Sequence, residues 1–121
     1  MKIPFNRIYT TGNEIKYIRH VIEDLAKTSG DGFYTRKVNS FLEDKFKTEK
    51  ALMTTSCTHS IEMACRLIGL KPGDEVILPS YTFPSTANPA VLCGAKPVFA
   101  EIKRETLNID PEDVRKRITK K

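Results

Sequence analysis

The chain has 121 residues, of which 40% are hydrophobic and 29% are charged, a composition typical of one soluble globular domain. No apolar run approaches the roughly 20 residues of a membrane helix, and the N-terminus lacks the apolar run of a signal peptide, so we expect a cytoplasmic protein without a membrane partner. The net charge is +5, but the acidic and basic residues are arranged as on solvent-exposed helix faces. This arrangement does not indicate a nucleic-acid partner.

Residues 1–50 predict two helices. The first begins near Thr11, because Thr11 and Glu14 have capping-box spacing and apolar residues follow at helical intervals. A loop of small residues ends it, and the second helix spans about 35–47. The apolar stripe of the second helix consists of Val38, Phe41, Leu42 and Phe46.

From residue 51 onward the pattern alternates between strand and helix. The predicted elements are strands at about 51–54, 75–79 and 97–102, and helices at about 57–70, 85–92 and 111–119. Such alternation indicates crossover connections and a largely parallel sheet. We therefore predict an α/β fold in which 1–50 forms N-terminal helices and 51–121 forms a βαβαβα unit.

A turn rich in hydroxyl groups, Thr-Thr-Ser-Cys-Thr-His-Ser at 54–60, joins the first predicted strand to the helix after it. The first turn of a helix has unpaired N–H groups and the positive end of the helix dipole, and hydroxyls add further donors. A phosphate is the natural occupant of such a turn. The alternative is that Ser56 or Thr58 is an ordinary N-cap, which this turn taken alone favours.

A second block, residues 75–83, reads as a buried strand that runs into a Pro-Ser turn with Tyr81 and Phe83. In open parallel sheets, ligands bind beyond the carboxyl ends of the strands. Both the hydroxyl-rich turn and the aromatic pair fall at such ends. Together they favour a phosphorylated ligand with a planar aromatic part.

Metal ligation is not predicted. The three cysteines, Cys57, Cys65 and Cys93, form no C-x-x-C pair, so neither a zinc site nor a disulfide framework is indicated. His20 and His59 lie far apart without ligand-like neighbours.

Several short motifs follow one another along nearly the whole chain. They are Ile3-Pro4-Phe5-Asn6, Gly30-Asp31-Gly32 with Tyr34-Thr35, Thr55-Ser56-Cys57-Thr58, Lys71-Pro72-Gly73-Asp74-Glu75-Val76-Ile77, Pro79-Ser80-Tyr81-Thr82-Phe83, Ser85-Thr86-Ala87-Asn88, Gly94-Ala95-Lys96-Pro97-Val98-Phe99 and Thr106-Leu107-Asn108-Ile109-Asp110. No single motif is specific, but their order resembles that of the DegT/DnrJ/EryC1/StrS family of pyridoxal-phosphate sugar-nucleotide aminotransferases.

The resemblance implies the large domain of a fold-type-I aminotransferase, an α/β/α sandwich with a mostly parallel sheet. The chain matches its N-terminal part, so we expect an incomplete fold. Pyridoxal phosphate is the implied cofactor of the complete enzyme. Its phosphate is expected against the backbone at Cys57 and Thr58, and its ring against Phe83.

The resemblance also places Gly30, Asp31 and Gly32 near the substrate entrance. The alternatives for these residues are purely structural: a flexible turn at 30–32, a core phenylalanine at Phe83 and a structural role for Cys57. Tyr81 is expected to pack.

Transamination by this cofactor requires a Schiff-base lysine and a carboxylate on the pyridine nitrogen. In the family both come later than Lys121, so no catalytic residue is nominated, and the chain is expected to be inactive alone.

The implied reaction moves an amino group, from glutamate, to a keto-deoxy nucleotide sugar such as dTDP-4-keto-6-deoxyglucose, for surface polysaccharide or lipopolysaccharide. We expect a homo-oligomer. One alternative is a non-catalytic phosphate-binding or assembly module derived from this fold. Another is an unrelated phosphate-binding αβ domain, which would not explain the ordered motifs.

Overall fold

The computed structural model describes residues 2–121, which divide into two compact units between Met53 and Thr54. In the first unit, helix α1 covers Glu14–Arg19 and continues as a π-helical turn over His20–Asp24, and helix α2 covers Phe33–Phe46. None of the helices described is long and apolar enough to cross a membrane.

Helix α1 begins three residues later than predicted, because only half of the capping box forms. The Glu14 carboxylate accepts hydrogen bonds from the Thr11 amide, the Thr11 hydroxyl and the Gly12 amide. These bonds, the Thr11 amide foremost, lower the pKa of Glu14 to about 2. The Thr11 hydroxyl donates to Glu14 and caps no helix amide, and Asn13 takes the N-cap position.

The two helices of the first unit meet through aromatic rings. The Tyr34 hydroxyl and His20 Nδ1 lie 3.1 Å apart in hydrogen-bond contact, and the Tyr17 and Tyr34 rings meet edge-on with centroids 5.1 Å apart. The predicted apolar stripe of α2 is only partly buried, since Phe41 and Phe46 keep 60% and 68% of their surface exposed.

The second unit contains a parallel sheet of two strands and three α-helices. Its elements are helix α3 (Cys57–Leu67), strand β1 (Glu75–Pro79), a 3-10 turn (Pro84–Thr86), helix α4 (Asn88–Leu92), strand β2 (Lys96–Ala100) and helix α5 (Pro111–Arg117). Strands β1 and β2 pair from Glu75 with Lys96 to Pro79 with Ala100. The parallel pair confirms the predicted α/β class, and helices α4 and α5 both contact β2.

The predicted strand at 51–54 does not form in the structure. The Ala51 amide donates to Glu43 Oε1 at 3.1 Å, and the Met53 amide donates to Asn39 Oδ1 at 3.0 Å. Side chains of α2 therefore accept hydrogen bonds from two backbone N–H groups that a strand would donate to a neighbouring strand. The order from α3 onward is αβαβα, and the βαβαβα prediction was wrong by its first strand.

Four other predicted elements have different bounds in the structure. Helix α3 ends at Leu67 because Gly69 takes a left-handed backbone with φ +73°. The amides of Gly69 and Leu70 donate to carbonyl oxygens of the last helical turn. The predicted helix at 85–92 is divided into the 3-10 turn and α4. Strand β2 ends at Ala100, and α5 ends at Arg117.

The core of the second unit is built from small side chains around Leu78. The buried residues are Cys65, Leu78, Pro89, Ala90, Ala95 and Ala100. Gly94 is needed beside them, because a Cβ on this residue, whose φ is +78°, would lie 2.7 Å from Pro72 Cγ.

Glu75, the first residue of β1, contacts both Thr119, which follows α5, and Lys96 of β2. Its carboxylate accepts from the Thr119 hydroxyl at 2.7 Å and pairs with Lys96 Nζ at 3.3 Å, and these contacts, that of Thr119 first, hold its pKa below the ordinary value of 4.5. A carboxyl with a lowered pKa in the folded state contributes stability above its ordinary pKa, which is lost as the pH falls through the lowered value.

We therefore predict that Glu75→Gln reduces the loss of thermal stability between about pH 6 and about pH 3. Melting curves across this range measure the effect. Glu105→Gln, a change in an exposed loop carboxylate, is the matched control and should keep the parental response. Equal acid sensitivity in the parent and Glu75→Gln would contradict the role given to Glu75.

Candidate functional site

The hydroxyl-rich turn is the N-terminus of α3, and Ser56 is its cap. Ser56 has an extended backbone, and its Oγ accepts from the His59 amide at 3.1 Å. The cap interpretation is therefore confirmed for Ser56 and wrong for Thr58, which is the second residue of the helix. The turn follows no strand, because 51–54 is not one.

Two backbone donors remain at the start of this helix. The Cys57 and Thr58 amides precede the first intrahelical bond, and within residues 2–121 neither they nor the Thr58 hydroxyl have a hydrogen-bond acceptor. The first acidic side chain after the turn is Glu62. The unpaired amides, the positive end of the helix dipole and the lack of acid from 54 to 61 favour a bound anion.

Side chains on both sides of the cap hold the turn in this form. The Ser56 carbonyl oxygen lies 2.8 Å from Thr54 Oγ1, 3.2 Å from Ser60 Oγ and 3.1 Å from the Ser60 amide. Thr54 and Ser60 also contact each other through their hydroxyls, and Thr55 Oγ1 contacts His59 Nδ1. The sequence analysis counted Ser60 among the hydroxyl donors to the anion and assigned no role to Thr54, whereas in the structure both hydroxyls contact the turn itself.

The aromatic pair lies where the sequence places it, beyond the carboxyl end of β1. Phe83 is 75% exposed and Tyr81 is 67% exposed, so the core alternative for Phe83 and the packing expected of Tyr81 are both wrong. Helix α3 contacts the 3-10 turn that begins directly after Phe83. The aromatic segment and α3 are therefore neighbours within one unit.

The turn of Gly30, Asp31 and Gly32 belongs to the first unit. Asp31 has φ +52°, and Gly32 is the N-cap residue of α2. The Arg36 guanidinium donates to the Asp31 carbonyl oxygen and lies 3.6 Å from the Asp31 carboxylate. The entrance role inferred for these three residues stays a prediction.

Metal-ligating side chains do not cluster anywhere in the part of the chain that the structure describes. The three cysteines are free, with Cys57 exposed at the start of α3 and Cys65 buried in the middle of the same helix. The donors available at the turn are thus amides and a hydroxyl, which suit an anion and not a cation.

Residues 9–121 match the sequence profile of the DegT/DnrJ/EryC1/StrS aminotransferase family. The chain is 36% identical over 119 residues to the GDP-perosamine synthase of Vibrio cholerae, covering 98% of this chain and 32% of that protein. It is 29% identical over 122 residues to the 3-oxo-glucose-6-phosphate:glutamate aminotransferase of Bacillus subtilis, covering 98% of this chain and 28% of that protein. The chain thus spans about a third of the length of these curated relatives.

Solved structures show the same likeness. The putative sugar aminotransferase Spr1654 of Streptococcus pneumoniae, in its PLP form, superposes with a TM-score of 0.81 at 28% identity, over 98% of this chain and 30% of that one. DesV of S. venezuelae, in complex with a ketimine intermediate, gives a TM-score of 0.76 at 27% identity, over 89% of this chain and 29% of that one. The predicted fold, that of a fold-type-I aminotransferase large domain, is confirmed for the part that this chain covers.

Proposed function

Since this chain belongs to the DegT/DnrJ/EryC1/StrS aminotransferase family, we propose that it forms the phosphate-binding part of a pyridoxal-phosphate-dependent sugar aminotransferase. The observation that carries the proposal is the pair of unpaired amides at Cys57 and Thr58. Solved relatives named as PLP and PMP forms support this choice of cofactor.

The donors of this chain fit the phosphate of pyridoxal phosphate. The two amides and the Thr58 hydroxyl would hold the phosphate at the positive end of α3, and the exposed Phe83 ring offers a flat apolar surface for the pyridine. When bound, pyridoxal phosphate supplies the electron sink for transamination. The part played by these residues is to bind and orient it.

The proposed reaction transfers an amino group from glutamate to a keto-deoxy nucleotide sugar. The name GDP-perosamine synthase supports a nucleotide sugar, and the B. subtilis relative is named for glutamate as donor. We propose dTDP-4-keto-6-deoxyglucose as the acceptor, giving dTDP-4-amino-4,6-dideoxygalactose for lipopolysaccharide or another surface polysaccharide. The entrance role of Gly30, Asp31 and Gly32 is part of this proposal.

Association with a second copy is also proposed, from the exposed surface. The chain exposes 10395 Å², whereas two separate compact domains with the masses of its two units would expose only about 7,900 Å² together. The excess of about 2,500 Å² is larger than a standard protein interface of about 1,600 Å². Several apolar residues of the second unit are more than half exposed, among them Leu67, Ile68, Tyr81, Phe83, Val91 and Leu92.

A non-catalytic phosphate-binding or assembly module is the second candidate, because the unpaired amides of the turn can bind an anion without a catalytic side chain. Such a module would keep the phosphate turn and the association surface without the reaction. The two candidates share the phosphate turn and differ in whether a lysine of the chain reacts with the cofactor.

We predict that Thr58→Val weakens phosphate binding without lowering the stability of the phosphate-free chain. The change removes a hydroxyl donor, and Thr58 caps no helix, so the penalty of about 1 kcal/mol for a lost cap does not apply. Thermal melts with and without inorganic phosphate measure both quantities, because a ligand of the folded state raises the melting temperature.

Thr35→Val is the matched control, since Thr35 is also half-buried in the first turn of a helix, α2. It should leave the response to phosphate unchanged. A lost response in Thr35→Val with a normal response in Thr58→Val would move the anion site to α2.

We predict that the chain alone has no lysine that reacts stoichiometrically with the cofactor. In the family the Schiff-base lysine comes later than Lys121, so pyridoxal phosphate and borohydride should label several lysines weakly. Peptide mass mapping after reduction measures the labelling. Full labelling of one lysine would contradict the expected lack of a catalytic centre.

We predict a dimer or a larger oligomer at tens of micromolar, because exposed apolar faces and an open strand edge favour pairing. Sedimentation velocity across a dilution series measures the state. A well-folded monomer throughout the series would refute the association.

A further inference from the structure

We propose that Ser60 is a positioning residue for the phosphate turn, an inference that rests on the proposed function. Ser60 lies one turn into α3 and is half-buried. Its hydroxyl would not touch the phosphate. It acts on the peptide group between Ser56 and Cys57, which provides one of the two unpaired amides.

The planarity of the peptide bond links Ser60 to that amide. The Ser56 carbonyl and the Cys57 N–H belong to one rigid plane and point in opposite directions. Fixing the carbonyl oxygen toward the helix therefore aims the Cys57 N–H outward, at the space before the helix. The oxygen accepts from the Ser60 amide at 3.1 Å and lies 3.2 Å from Ser60 Oγ and 2.8 Å from Thr54 Oγ1.

A count of hydroxyl protons shows why Ser60 matters in this cluster. Thr54 and Ser60 contribute two hydroxyl protons to three contacts, two with the Ser56 carbonyl and one with each other. At most two of the three contacts are therefore hydrogen bonds at once, and in a bond between the hydroxyls the one that accepts can donate its own proton to the carbonyl. Without the Ser60 hydroxyl, Thr54 loses its partner, and the carbonyl keeps only the helix amide and Thr54 to hold it.

The change Ser60→Ala separates positioning from stability. Alanine is the better helix former, so a Ser-to-Ala change inside a helix does not by itself weaken the helix. It also leaves the Ser56 cap, the Cys57 and Thr58 amides and the Thr58 hydroxyl in place. A higher phosphate Kd in this variant would therefore reflect a changed direction of the Cys57 N–H group, because no donor to the phosphate has been removed.

The experiment is a calorimetric titration of the 121-residue chain with inorganic phosphate. We expect Ser60→Ala to raise the phosphate Kd about fivefold, the effect of one ordinary hydrogen bond. Ser60→Thr, which keeps the hydroxyl, should restore most of the affinity. Ser40→Ala, the same change inside α2 at an exposed position, is the matched control and should bind phosphate as the parent does.

The outcomes distinguish a failure of the role given to Ser60 from a failure of the proposed phosphate site. Parental affinity in Ser60→Ala, with a clear phosphate response in the parent, overturns the positioning role and leaves the proposed function intact. A fivefold loss that Ser60→Thr does not restore also overturns it. A parent chain that binds no phosphate overturns the proposed turn and this inference together.

Discussion

The peptide group between Ser56 and Cys57 is the constraint on which the candidate site depends. Its carbonyl oxygen accepts from the first helical amide and lies within hydrogen-bond distance of hydroxyls on both sides of the turn. The Ser56 hydroxyl satisfies the His59 amide, which leaves the two preceding amides without acceptors. Capping and anion binding are thus compatible at one helix start, because they use different amides.

The small core of the second unit explains why so much of this chain is exposed. Three of its six buried residues are alanines, and a sheet of two strands covers only part of each neighbouring helix. Leu67 of α3 and Val91 and Leu92 of α4 are exposed, as is Phe83. The exposed aromatic ring and the exposed apolar helix residues flank a sheet that residues 54–121 build from two strands.

Local signals predicted those elements whose hydrogen bonds are local. Strand β1 was predicted at its observed bounds, and helix α3 at its observed start. The Asp110-Pro111 start of α5 was likewise readable, since Asp110 caps the Glu112 amide at 3.1 Å. The unpaired amides at Cys57 and Thr58 follow from the same rules of helix capping.

The loss of the strand at 51–54 and the exposure of the aromatic pair depend on contacts that the local sequence does not report. The predicted strand at 51–54 is lost because Glu43 and Asn39 of α2 take its amides, which no property of residues 51–54 signals. The exposure of Tyr81 and Phe83 depends on how many strands surround β1, and an apolar sequence pattern does not report that number. The contact of Thr54 with Ser60 requires the turn to be formed before it can be seen.

The most direct test of the account is a titration of the isotope-labelled chain with inorganic phosphate, followed through its backbone amide resonances. We predict that the resonances of the Cys57 and Thr58 amides shift together and saturate at one Kd, while the capped His59 amide shifts least of the three. Shifts confined to other helix starts, such as that of α2, or none at all, would contradict the claim that this turn is the phosphate site.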